Sequence, residues 1–391
     1  MANSRPRSTY LAAALVRRRG QNLYRERQVL ASPQGAEVRI GAQTLLSFCS
    51  NDYLGLANHP QVIAAFKQGA ERYGVGAGAS HLISGHSLAH HALEEELADF
   101  VGAPRALLFS TGYMANLGVA ASLMGRCGHV FEDKLNHASL IDAARLCQAR
   151  VKRYAHGAVD KLESLLAAAN GEKLILSDGV FSMDGDFAPL PDLVAAARRH
   201  EAWLLVDDAH GLGVVGDSGR GCFEHFDLAL NEPAILMGTL GKAFGTFGAF
   251  VAGSETLIES LIQEARTYIY TTALPPAVAE ATRASLRLAR SEVWRRERLR
   301  EHVRFFKRGA QTLGLKLLPS DTPIQPVILG EPGQAMAASR HLREQGILVC
   351  AIRPPTVPAH SARLRITFSA AHELAHVERL LETLAGLPGM K

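Results

Sequence analysis

The sequence predicts an α/β protein: an N-terminal arm, a large domain on a mostly parallel sheet, and a smaller C-terminal α/β domain. Three observations carry this prediction. Short, nearly continuous apolar runs at 106–109, 129–132, 174–177, 203–206, 235–237 and 248–251 alternate with helical stretches, the pattern of strands covered on both faces. The character changes after Leu274-Pro275-Pro276, where a long Arg-rich helical stretch leads into a second, shorter set of strands and helices. The 391 residues, 47% hydrophobic and 20% charged, suffice for two to three domains at ~150 residues each and for a core that needs no disulfide or structural metal.

The elements follow in chain order. A basic start at Arg5 and Arg7 leads to an apolar stretch, 10–16, that ends in Arg17-Arg18-Arg19 with no small-residue cleavage site, which predicts a short amphipathic helix and not a signal peptide. Arg25 and Arg27 extend its basic flank, where a solvated surface is one reading and an anionic substrate the other. An extended run at 45–50 meets the turn-rich Asn51-Asp52-Tyr53-Leu54-Gly55. A helix over 60–73 gives way to a glycine-rich loop, 74–80, and a second helix covers 87–101. Helices at 114–124, 139–149, 162–169 and 190–200 separate the strands of the sheet. One long helix is expected over 277–313, then strands at 326–329, 348–352 and 364–367, with helices at 335–345 and 371–385. The expected divisions are 1–50 for the arm, 51–285 for the large domain and 286–391 for the small one.

Composition excludes several classes. The five cysteines are scattered, without a C-x-x-C pair, and read as free thiols of a reducing compartment. A net charge of +4 is too small to argue for nucleic acid, and no apolar run reaches the ~20 residues of a membrane span, so the expected location is the cytoplasm. Three familiar patterns fall short. His372-Glu373-Leu374-Ala375-His376 fits H-E-x-x-H, the remote alternative of a zinc hydrolase, but lacks an identifiable third ligand; no metal ligands are assigned. The loop 74–79 follows a helix where a dinucleotide fingerprint follows a strand, and Gly241-Lys242 lacks the remaining P-loop residues.

Chemistry gathers instead at the strand ends, where parallel sheets collect ligands. The run 203–206 enters Asp207-Asp208-Ala209-His210, an acid poised at the sheet's rim or a turn cap. The run 235–237 enters Gly238-Thr239-Leu240-Gly241-Lys242, a lone lysine among glycines and apolar residues; partial burial would lower its pKa and free its amine for a carbonyl. The run 106–109 enters Ser110-Thr111-Gly112-Tyr113, a helix start able to hold a phosphate or merely an ordinary cap. His137, in Asn136-His137-Ala138-Ser139, reads as a core or capping histidine by itself. Together, a lysine amine, an acid for a pyridine nitrogen and a phosphate-binding helix start are what pyridoxal 5'-phosphate requires.

Ser177-Asp178-Gly179-Val180-Phe181-Ser182-Met183-Asp184-Gly185-Asp186, Val206-Asp207-Asp208-Ala209-His210-Gly211 and Thr239-Leu240-Gly241-Lys242, in this order and spacing, resemble the α-oxoamine synthase family. Ser50-Asn51-Asp52-Tyr53-Leu54-Gly55-Leu56 and Ala362-Arg363-Leu364-Arg365 extend the likeness over nearly the whole chain. The resemblance implies an aspartate-aminotransferase-like (fold type I) large domain, pyridoxal phosphate as cofactor, and condensation of an amino acid with an acyl thioester. It implies that Lys242 binds the cofactor and acts as base, that Asp207 pairs with the pyridinium nitrogen, and that His137 stacks on the ring. It further implies His210 and Ser182 at the ring hydroxyl, the Gly112 and Tyr113 backbone and Thr239 at the phosphate, and Arg365 at the amino-acid carboxylate. Asn51, His137, Thr356 and Arg25 are expected at substrate. The segments 352–358 and 80–87 most resemble the branch that joins L-alanine to a pimeloyl thioester; a sibling synthase, such as glycine C-acetyltransferase, is the alternative. A homodimer is implied, with Thr271 or Thr272 reaching the neighbour's phosphate, and neither membrane nor nucleic acid as partner.

Overall fold

A seven-stranded sheet occupies the centre of the chain in the computed structural model, which describes residues 7–21 and 23–387 and so leaves Arg5 outside the described residues. Its strands lie in the order Arg105–Phe109, Ala249–Gly253, Ala234–Thr239, Trp203–Asp207, Lys173–Asp178, His129–Asp133, Arg150–Tyr154. The four pairs from Ala234–Thr239 to Arg150–Tyr154 are parallel, and only Ala249–Gly253 runs against its neighbours. That reversal places the site. Antiparallel neighbours need no crossover helix, so the chain turns back through 240–248 at the carboxyl edge of the sheet and holds Lys242 there. Both faces are covered: two apolar clusters, one containing Phe100, Leu204 and Phe244 and the other Leu107, Val119 and Val251, bury the strands from either side.

Most predicted elements appear within a few residues of their expected ends. Four differences have physical causes. The strand Arg150–Tyr154 escapes the apolar-run criterion because it is the polar edge of the sheet, mostly exposed, with cations that discourage further pairing. A short hairpin strand, Glu37–Ile40, is likewise too polar and short to be read. The expected long helix is two helices, Pro276–Ser291 and Trp294–Thr312, because the backbone leaves helical angles at Glu292. The expected strand over 348–352 is two strands in two sheets: Ile347–Leu348 pairs in parallel with Gln43–Ser47, and Cys350–Ile352 pairs antiparallel with Ala362–Thr367.

The arm and the C-terminal region are therefore joined by main-chain hydrogen bonds. Glu37–Ile40, Gln43–Ser47 and Ile347–Leu348 form one three-stranded sheet, and Ile324–Gly330, Ala362–Thr367 and Cys350–Ile352 form another. Phe48 links them, accepting from Thr367 N–H at 2.8 Å and donating to Leu348 at 2.9 Å. The expected boundary at 285/286 falls within Pro276–Ser291, which packs on Pro60–Tyr73. Gly69 permits this close contact, since a Cβ there would come within 2.9 Å of the Ala277 Cα. None of the described helices is long and apolar enough to cross a membrane.

Candidate active site

Three neighbouring strands deliver their last residues to one place. Asp178 lies in register with Asp207, and Asp207 with Met237, so three strand ends line up at the sheet's carboxyl edge. A cavity of about 190 Å³ opens there, bounded by Gly112, Tyr113, His137, Asp207, His210, Thr239 and Lys242, together with Ser139, Asp178, Ala209 and Met237. Its volume is several times a water's share of ~30 Å³.

The adjacent acids divide the two roles open to them. Asp207 is 4% exposed; its Oδ2 accepts from Asn116 Nδ2 at 2.8 Å and its Oδ1 from the Ala209 N–H at 3.1 Å. Asp208 is the cap, accepting the Cys222 N–H at 2.7 Å and the Cys222 thiol at 3.0 Å away from the cavity. Burial pushes the Asp208 carboxyl up to about 7. Asp178 takes the His137 N–H at 2.7 Å, and burial followed by the neighbouring Asp207 raises it well above the usual range.

Lys242 Nζ stands 3.0 Å from His210 Nε2, and His210 Nδ1 stands 2.7 Å from the Tyr53 hydroxyl. One proton arrangement satisfies every group: Lys242 donates to His210, neutral His210 donates to Tyr53, and Tyr53 donates to Asn51 Oδ1 at 3.3 Å. Burial, then the Lys242 charge, holds the His210 imidazole well below its ordinary value, in keeping with the neutral ring. Burial also brings the Lys242 amine down to about 8. Arg365 closes the network, donating to Asn51 Oδ1 at 3.2 Å and to the Ser182 carbonyl at 2.6 Å.

The anion-binding end is built by a helix start. Thr111 caps Gly112–Leu123 by accepting the Met114 N–H at 3.2 Å, while the first helical N–H groups, at Gly112 and Tyr113, have no acceptor within the helix. Gly112 sits close to Met237, whose Cε a Cβ would approach to 3.2 Å. Thr239 completes this end, its hydroxyl held 3.2 Å from the Gly248 carbonyl. His137 both lines the cavity and caps its own helix, its Nδ1 accepting the Ser139 N–H at 3.3 Å and standing 2.8 Å from Ser139 Oγ.

Not every expected residue arrives at the cavity. Ser182 takes part through its carbonyl, which orients Arg365. Arg25 and Thr356 are exposed and do not line the cavity; they share another surface, where Arg353 donates to the Tyr24 carbonyl at 2.9 Å and accepts from the Thr356 N–H at 3.1 Å. Thr271 and Thr272 are likewise outside it, although Thr272's carbonyl accepts from Ser110 Oγ at 3.4 Å. Sequence reasoning left Asp178, Tyr53, Asn116 and Ser139 unassigned. Asp178 carried the same signal as Asp207, an acid ending a buried apolar run, whereas Asn116, one turn inside a helix, carried none. A second cavity, about 510 Å³, flanks the Lys242 loop and is bounded by Cys49, Asn51, Asp52, Gly241 and Thr246.

The H-E-x-x-H pattern is corrected by geometry. His372 precedes the terminal helix, Leu374–Ala385, and stacks on Phe48 with ring centroids 4.4 Å apart. Its Nδ1 accepts the Ser369 N–H and its Nε2 donates to the Ser47 carbonyl, both at 2.9 Å, leaving neither nitrogen for a metal. Glu373 caps the helix, and His376 binds back to the Glu373 N–H at 3.1 Å. The zinc hydrolase reading fails on these contacts.

Residues 43–384 match the family model described as Aminotransferase class I and II. The 8-amino-7-oxononanoate synthase of Nitrosococcus oceani is 62% identical over 371 residues, 95% of this chain and 98% of the relative. That of Methylococcus capsulatus is 61% identical over 375 residues, 96% of this chain and 97% of the relative. A solved structure of SPT with PLP internal aldimine superposes with a TM-score of 0.92 at 32% identity, covering 98% of both chains.

Proposed function

The chain belongs to the class I and II aminotransferase family, and within it to the α-oxoamine synthases, and from that premise we propose that it condenses L-alanine with a pimeloyl thioester, carried by CoA or a carrier protein, to give 8-amino-7-oxononanoate, the free thiol and carbon dioxide in biotin biosynthesis. One observation carries the reading: a chain matched along 95% of its length by a synthase of that name holds a half-buried lysine whose amine lies 3.0 Å from His210 in a cavity shared with Asp207. Its cofactor is pyridoxal phosphate, and the donor set fits that group: an amine, a carboxylate and unpaired helix N–H groups line one cavity.

Lys242 would hold the cofactor through its amine, Asp207 would keep the pyridine nitrogen protonated, and Gly112, Tyr113 and Thr239 would take the phosphate. His137 would lie on the ring face, with His210 at the ring hydroxyl. Pyridoxal phosphate, when bound, supplies an electron sink for negative charge at the amino-acid Cα. The Lys242 amine would serve as the base that takes the proton from the amino-acid Cα and as the acid that returns one to that carbon. Neutral His210 accepts from that amine and keeps it pointed into the cavity. Arg365, already bonded to Asn51 and the Ser182 carbonyl, offers its remaining guanidinium edge to the amino-acid carboxylate. The 510 Å³ cavity beside the Lys242 loop is the proposed place for the acyl chain, with Arg25 and Thr356 on the route of its anionic carrier. The reading includes a cytoplasmic homodimer, supported by exposed apolar residues at Leu82, Ile83 and Tyr270 near Thr271 and Thr272.

The test is thiol release across a matrix of amino acids and acyl-CoAs. Alanine with pimeloyl-CoA should give the highest kcat/KM, about 10-fold or more above glycine, the discrimination one methyl group supplies. Faster turnover of glycine with acetyl-CoA would overturn the assignment in favour of a sibling synthase. The Lys242 amine also predicts a pH dependence. Only the neutral amine attacks an aldehyde, so capture of pyridoxal phosphate by the apoprotein should accelerate with pH and level off above about 8. Stopped-flow absorbance checks this; a rate still climbing toward the ~10.4 of an ordinary lysine would contradict the lowered value.

A further inference from the structure

A second group of chemistry-bearing side chains lies outside the Lys242 cavity, beside the helix Leu88–Val101 and the edge strand Arg105–Phe109. His86 Nε2 stands 3.9 Å from Glu94 Oε2. That gap is too long for a hydrogen bond, yet two bonds of ~2.0–2.2 Å to one shared ion span it. His91 and Glu94, three apart on the helix, share a face, and the ligand atoms of His86, His91 and Glu94 all lie within 4.8 Å of one another. Tetrahedral ligands at such bond lengths sit roughly 3.3–3.5 Å apart. The exposed His91 side chain, in contact with Glu95 at 3.5 Å, can swing to close the remainder.

The surroundings already hold two of these groups in ligand orientation. The other Glu94 oxygen accepts the Leu108 N–H at 2.8 Å, fixing the carboxylate to the sheet edge. The other His86 nitrogen, Nδ1, is 2.9 Å from His81 Nδ1, and the His81 ring stacks on Tyr268 with centroids 5.0 Å apart. Ligating histidines are oriented in this way, through the nitrogen that does not meet the metal. His90, though adjacent, is excluded: its Nδ1 accepts the Ser87 N–H at 3.0 Å and its Nε2 donates to the Leu274 carbonyl at 2.7 Å. The nearby Arg105 is paired with Glu259 at 2.9 Å, while the second Glu94 oxygen has His86 Nε2 3.9 Å away. A cavity of about 390 Å³, lined by His86, His91 and Glu94, adjoins the cluster and has room for an ion and its waters.

We propose that His86, His91 and Glu94 form a binding site for a divalent transition metal of zinc type, with water in the open position and His81 as the residue that orients His86. The spacing H-x4-H-x2-E forms no motif that sequence inspection would single out, which is why the site emerges only from the fold.

The experiment is a calorimetric titration of the tag-free, chelator-dialysed holoenzyme with zinc chloride. One equivalent per chain should bind with micromolar or tighter affinity. His91→Ala, an exposed substitution that leaves the core intact, should weaken that binding at least tenfold, and His81→Ala about 10- to 100-fold, as expected for the partner of a ligating histidine. The absence of a saturable equivalent, or equal affinity in His91→Ala, would overturn the proposal. Circular dichroism of both variants separates lost binding from lost fold: weakened binding in a chain with the parent spectrum supports the site.

Discussion

Lys242→Ala should leave a folded protein whose kcat is ~10³-fold or more below that of the parent. The substitution removes an amine that takes part in both cofactor attachment and proton transfer, and a positioned general base alone contributes typically ~10²–10⁴-fold. The fold should survive. Lys242 lies on a loop beyond the strand Ala234–Thr239, and the partner it leaves, His210, keeps Tyr53 at 2.7 Å. The lost hydrogen bond costs about 1 kcal/mol, small beside the stability of a chain with cores on both sheet faces. Two readouts separate chemistry from folding. Borohydride treatment of the holoenzyme followed by intact-mass analysis should fix the cofactor to the parent chain and not to the variant. Thiol release should fall while the circular dichroism spectrum and melting temperature stay close to those of the parent. Covalent retention of the cofactor together with turnover in Lys242→Ala would place the reactive amine elsewhere.

The legible part of this protein is the part with local causes. A strand buried on both faces must be an apolar run, so six of the seven central strands could be read together with the acids and lysine that follow them. What escaped depends on contacts between distant segments. Asn51 and Arg365 meet across 314 positions, and Asn116 reaches Asp207 across 91. Nothing in the local pattern around Asn116 distinguishes it from any polar residue in a helix. The direction of Ala249–Gly253, which turns the Lys242 loop toward the cavity, is set by pairing with two strands and not by its composition. The strand over 348–352 was legible as extended chain, but its division between two sheets depends on which segments lie on either side. H-E-x-x-H misleads for the same reason in reverse: five residues specify a metal motif only if they lie on one helix, and Glu373 starts the helix inside the pattern.

Asp207→Asn should lower kcat by ~10²–10³-fold while cofactor affinity changes far less, the effect of removing one preorganised electrostatic partner from a buried site. The amide keeps the shape of the carboxylate but cannot hold a pyridine nitrogen protonated, so the electron sink weakens where charge develops at Cα. The neighbours restrict the amide. Asn116 Nδ2 and the Ala209 N–H both donate to Asp207, and an amide offers one oxygen for the two. One donor is then left facing an N–H₂ group, a loss of about 1–3 kcal/mol. A compensating gain comes from Asp178, whose carboxyl is raised by burial and then by the Asp207 charge. With that charge removed, Asp178 ionises at lower pH, and the register that brings the two acids together becomes less costly. The melting temperature should therefore shift little, whereas kcat falls steeply, and that split distinguishes an electrostatic role from a structural one. Steady-state kinetics paired with a fluorescence titration of pyridoxal phosphate measure the two quantities separately. Undiminished kcat in Asp207→Asn would show that the buried carboxylate serves only the packing of the strand ends, and the pyridine partner would have to be sought at Asp178, its neighbour in register.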